Sequence, residues 1–125
     1  MQVLTIYGSI TDRFETIAKF EKIAQKIKAG EMKPDRIDCY EMSRNEVFQD
    51  RFDNLGLGEI QNIEIFYPSK DYPPHIDGWG TSYFIPMTSG TFFIDGVNYP
   101  VIPYILYSFD DRRLHNSNFM SIMIR

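Results

Sequence analysis

Apolar residues recur along the chain with two different periods. Between residues 14 and 27 the spacing is helical: Phe14, Ile17, Ala18, Ala24 and Ile27 mark one stripe, which Phe20 and Ile23 widen. Asp12 and Glu15 are placed as a capping box, with Thr11 beside them. Lys26 and Lys28 put positive charge in the last turn, where it suits the helix dipole, and Gly30 ends the element. A short strand over residues 2–7, closed by Gly8-Ser9, precedes this helix. Residues 37–42 read as another strand, residues 45–52 as a short helix with Phe48 and Phe52 one turn apart, and residues 54–58 as a loop.

From residue 60 the chain turns to β-branched and aromatic runs broken by turn residues. Strands are predicted over 60–67, 81–87, 91–94, 98–102, 104–109 and 118–124. Asp95-Gly96, between two of these runs, is a strong hairpin signal. Short strands with regularly spaced turns predict a barrel or sandwich. No repeat, low-complexity stretch or interdomain linker interrupts the sequence, so one domain is expected: residues 1–60 a bracing strand and helices, residues 61–125 a β core.

Composition narrows the function classes. A chain of 125 residues that is 43% hydrophobic and 15% aromatic can bury one core and is not a disordered segment. A formal charge of −4 gives no electrostatic case for non-specific nucleic-acid binding. Cys39 is alone, so no internal disulfide forms, and a small core residue is its expected role. No apolar run has the length of a membrane span, and the first residues lack the pattern of a signal peptide. A cytoplasmic protein without a membrane partner is the expectation.

Chemistry concentrates around the only two histidines, His75 and His115. Side chains at i and i+2 of an extended segment share a face, so His75 and Asp77 project together. Pro73-Pro74 favours an extended approach and Gly78 lets the chain turn away. Two imidazoles and one carboxylate form the facial set typical of non-haem Fe(II) oxygenases. Zinc accepts the same donors. Arg125, ten residues beyond His115, offers a guanidinium whose fork matches a carboxylate. Alternation along 119–125 sets Phe119, Ser121, Met123 and Arg125 on one face and Met120, Ile122 and Ile124 on the other, which would lie against the N-terminal helix.

Segment 62–125 resembles the double-stranded β-helix (jelly-roll) core of the Fe(II)/2-oxoglutarate-dependent oxygenases, most closely the prolyl-hydroxylase type. The resemblance rests on Phe66-Tyr67-Pro68 leading to Tyr72 and His75-Ile76-Asp77, on 83–87 followed by Gly90-Thr91-Phe92, on 108–115 ending in His115, and on Arg125. It implies a jelly roll braced by one or two helices. It further implies a dioxygenase that hydroxylates a prolyl or other protein side chain, or a small molecule. His75, Asp77 and His115 would hold Fe(II). Arg125, with Tyr67, would bind the distal carboxylate of 2-oxoglutarate, and ascorbate would be a compatible accessory reductant. Tyr72 and Trp79 would flank the substrate entrance, and Arg113 would contact substrate. Two other readings fit the same residues: a non-catalytic jelly-roll module that keeps the fold and the metal, and a cupin-like metalloenzyme working without 2-oxoglutarate.

Overall fold

The computed structural model describes residues 4–9, 14–34, 38–41, 56–58, 60–70 and 72–125. Among them are one helix and nine strands in two antiparallel sheets. The strands are β1 (Leu4–Ser9), β2 (Cys39–Glu41), β3 (Ile63–Phe66), β4 (Thr81–Pro86), β5 (Gly90–Ile94), β6 (Val97–Val101), β7 (Ile105–Asp110), β8 (His115–Ser117) and β9 (Ser121–Ile124); the helix α1 spans Phe14–Lys28. The protein is thus mainly β, as its sequence predicts. The expected helix over 45–52 lies outside the described residues, as does the cap at Thr11-Asp12.

The larger sheet has the order β1-β7-β4-β9-β3-β2 and the smaller β6-β5-β8. An isolated antiparallel bridge between His75 and His115 adds the segment around His75 to the free side of β8. From β3 onward the chain therefore passes repeatedly between sheets. It runs from β3 to the His75 segment, back to β4, across to the β5–β6 hairpin, back to β7, across to β8 and back to β9. The hairpin is set by Asp95 and Gly96, both in the left-handed region with φ of 50° and 80°. That pairing of backbone angles is what a two-residue turn matching the strand twist requires.

Alternation gives the larger sheet two unlike faces. Ile65, Ile122 and Ile85 stand in one row across β3, β9 and β4. They face outward, with Ile63, Ile124, Leu106 and Met120, onto Phe20, Ala24 and Ile27 of α1. The predicted helical stripe is therefore real at its centre and C-terminal end, whereas Ala18 is exposed. Tyr104 donates its hydroxyl to Glu21 Oε1 at 2.6 Å and ties the helix to the sheet. On the other face Phe84, Tyr107, Phe109 and Met123 meet Phe92 and Ile94 of the smaller sheet, with Phe119. Phe84 stacks on Phe92 at 4.8 Å and on Tyr107 at 5.2 Å between ring centroids. This aromatic layer fills one end of the space between the sheets and leaves the other end for the polar residues. No helix among the described residues is long and apolar enough to cross a membrane.

Candidate metal centre

At that other end the backbone joins the two histidines directly. His75 N–H donates to His115 O at 3.0 Å and His115 N–H donates to His75 O at 2.9 Å. In such a pair the side chains lie side by side on one face. The rings here stand 4.4 Å apart and look into the space between the sheets. Asp77, two residues along, follows them. Its N–H donates to Asp111 O at 2.7 Å, which fixes where its carboxylate lies. One donor atom from each of His75, Asp77 and His115 falls within 4.8 Å of the other two. Asp77 Oδ2 is 3.2 Å from His115 Nε2 and 3.7 Å from His75 Nε2.

The outer nitrogens explain which way the rings face. His115 Nδ1 lies 2.7 Å from Arg113 O, and His75 Nδ1 lies 3.2 Å from Pro73 O. A carbonyl only accepts, so each Nδ1 is placed to carry the proton and each Nε2 to present a lone pair. Such outer hydrogen bonds accompany metal-ligating histidines and fix their tautomer. Two lone pairs and a carboxylate oxygen then converge, with no ring proton between them. The donor set therefore fits a divalent cation. Burial, with His115 and Arg125 nearby, holds His75 below the ordinary imidazole range. Burial pushes Asp77 upward, but the contact with His115 and the charge of Arg125 outweigh it and hold the carboxyl below its usual range. Both groups are thus kept in the form that binds metal.

Arg125 continues the inward face of β9 and joins this cluster. Its backbone pairs with Asn62, with N–H to Asn62 O at 2.9 Å. Its Nη2 donates to Asp77 Oδ2 at 3.0 Å and its Nε to Ser82 Oγ at 3.2 Å. Ser82 donates to Asp111 Oδ2 at 2.6 Å, and Asp111 Oδ1 accepts Gly80 N–H at 2.8 Å. Asp111 is fully buried. Its four hydrogen bonds, two through the side chain and two through the backbone, bind the β4 entry and the Asp77 segment into one corner.

The triad opens on a cavity of about 60 Å³ lined by Cys39, Glu64, Tyr72, Asn116 and Met123 among others. Phe109 and Phe92 close its inner side, with ring centroids 4.7 Å and 6.2 Å from His115. Tyr72 stands edge-on to His75 at 5.1 Å, and its carbonyl accepts Asn116 Nδ2 at 2.7 Å. Trp79 is half-exposed, its ring 5.7 Å from the guanidinium carbon of Arg125.

The structure thus brings together His75, Asp77, His115, Arg125 and Tyr72, with Trp79 above Arg125. It places two of the expected residues elsewhere. Tyr67 is exposed and does not line the cavity. The Arg113 side chain pairs with Asp95 at 3.2 Å, while its carbonyl holds His115. Sequence reasoning did not single out Ser82, Asp111 or Glu64. Glu64 is 3% exposed and faces inward between the apolar Ile63 and Ile65. An acid inside an apolar strand was the signal that could have found it. No family model, curated protein or solved structure matches the chain.

Proposed function

We propose that the protein is a mononuclear Fe(II)-dependent oxygenase built on a double-stranded β-helix. It holds the metal through His75, Asp77 and His115 and uses a 2-oxo acid as cosubstrate, 2-oxoglutarate being the one the family resemblance implies. The observation that carries this is the convergence of two Nε2 lone pairs and one carboxylate oxygen at the mouth of a cavity, each ring oriented from behind by a carbonyl. The passage of the chain between two sheets from β3 to β9 is the winding expected of that fold.

Bound iron would supply the redox chemistry needed to use dioxygen on an unactivated C–H bond. Overall, the 2-oxo acid loses CO2 and takes one oxygen atom as a new carboxylate, while the substrate takes the other as a hydroxyl. The chain's own residues set the stage. The carbonyls of Pro73 and Arg113 hold the rings, Asp111 O holds the Asp77 backbone, and Arg125 contributes positive charge beside the ligands. Phe92 and Phe109 exclude water from the inner side, and Tyr72 borders the entrance used by substrate.

Calorimetric titration with Mn(II) and Fe(II), without oxygen, tests the site. One equivalent should bind, and Asp77→Ala or His115→Ala should weaken binding by more than about a hundredfold, beyond the loss typical of an outer-sphere change. Dioxygen uptake with Fe(II) and a 2-oxo acid tests the reaction. Equal metal binding by wild type and the triple alanine variant would sink the reading. The engagement of Arg125 with Asp77 favours a second one, a non-catalytic module that keeps the metal; it predicts binding without dioxygen uptake.

A further inference from the structure

Arg125 lies on the triad, not a ligand's length away from it. Its Nη2 touches Asp77 Oδ2, the oxygen that both histidines approach. The guanidinium is 8% exposed at the side-chain level and held from several sides. Ser82 fixes Nε, Asp111 fixes Ser82, the Asp111 carbonyl fixes the Asp77 backbone, and Trp79 covers the outer side. Closed hydrogen-bond circuits of this kind resist displacement because each break leaves a buried polar group unpaired.

Resting on the metal reading above, we infer that the site selects short 2-oxo monocarboxylic acids, of two or three carbons, over a five-carbon diacid, and that Arg125 contacts the carboxylate at the chelating end. Three observations carry this. The far carboxylate of an extended five-carbon diacid stands roughly 5 Å along the chain from the near one, from ordinary carbon–carbon geometry. A guanidinium held against Asp77 is placed for the near group. Next, Arg125 is the one Lys or Arg lining this cavity among the described residues, and the wall also carries the acidic side chain of Glu64. Glu64 is 3% exposed and accepts Asn62 Nδ2 at 2.6 Å, which puts a hydrogen-bond acceptor, not a donor, on that part of the wall for a second carboxylate to meet. Last, the cavity beside the triad is small, about 60 Å³. Phe92 and Phe109, packed on His115, block extension inward.

The test uses the full chain loaded with Mn(II) and titrated calorimetrically with glyoxylate, pyruvate and 2-oxoglutarate, so that no turnover is needed. Pyruvate should bind roughly tenfold or more tightly than 2-oxoglutarate, a difference of about 1.4 kcal/mol. Arg125→Ala should weaken pyruvate by roughly ten- to a hundredfold, the worth of a charge-assisted hydrogen bond. Arg125→Lys, which keeps the charge without the fork, should recover part of that loss, and thermal melting reports whether either variant is folded. Glu64→Gln should narrow the gap by strengthening 2-oxoglutarate. Binding of 2-oxoglutarate equal to or tighter than that of pyruvate overturns the inference while leaving the metal site standing. Failure of the wild type to bind Mn(II) removes both.

Discussion

The two faces of the six-stranded sheet are made by alternate residues of the same strands, yet they do different work. Outward, β3, β9 and β4 present isoleucines to a helix stripe of Phe20, Ala24 and Ile27, and the layer is apolar throughout its centre. Inward, the same strands present Glu64, Met123 and Phe84 in one row, with Ser82 and Arg125 beyond it at the mouth. An aliphatic layer gains from burial alone, at about 25 cal/mol per Å² removed from water. A layer containing acids, imidazoles and a guanidinium gains little from burial and requires a partner for every polar atom. The contrast locates function on the face whose residues are the harder to bury.

Separating the two faces by mutation gives the largest expected effect on stability. Ile122 is 1% exposed and central to the outward row. Ile122→Ala should lower unfolding free energy by about 2–5 kcal/mol, the transfer loss plus a residual cavity. Mn(II) affinity measured on the folded fraction should stay within about twofold, since the change lies on the face away from the triad. A loss of metal binding without a loss of stability would show that the faces are not independent.

How far the sequence discloses these faces depends on whether a feature is local. The β5–β6 hairpin is legible because Asp95-Gly96 carries its geometry in two residues. The helix stripe is legible because period 3.6 is local too. Strand β8 is not: His115-Asn116-Ser117 has three residues with little β character, and its pairing with β5 and with His75 defines it. His75, Asp77 and His115 stand out because histidine is scarce in this chain and His-x-Asp shares a face. Ser82 and Asp111, 29 residues apart, look like an ordinary strand hydroxyl and a turn acid until the fold joins them at 2.6 Å. The role of Arg125 depends likewise on register, which places its side chain opposite Ser82 and over Asp77.

A smaller effect sharpens the comparison within the inward layer itself. Gly90 begins β5, and a Cβ there would lie 2.6 Å from Asn118 Oδ1 and 2.8 Å from Phe119 Cβ. The Asn118 side chain also accepts Thr91 N–H at 2.8 Å. Gly90→Ala should destabilise the chain by about 1–3 kcal/mol through overpacking. The triad is formed by the His75–His115 bridge and the Asp77–Asp111 contact, so chemical denaturation should shift while Mn(II) binding persists. If metal affinity fell with stability, the packed part and the polar mouth of the inward layer would be one cooperative unit.

Titration separates the faces with the smallest effect. His75 is held below its ordinary value of 6.5, chiefly by burial. The unfolded chain then takes up the proton first, and stability is lost as pH falls from about 6.5 toward the lower folded value. Asp77, also held low, adds its loss further into acid, as pH falls through its folded value. The outward face responds at the other end of the scale. Burial and the bond to Glu21 push Tyr104 from 10.0 up to about 12. The unfolded chain therefore releases this proton first, and stability declines as pH rises from about 10 toward 12. Melting of the metal-free protein across pH should show both arms. His75→Gln should flatten the first part of the acid arm and leave the alkaline arm alone, and Tyr104→Phe should do the reverse. An acid arm unchanged in His75→Gln would mean that the imidazole is not desolvated in the fold, and the placement of its ring against His115 in the cavity wall would fall with it.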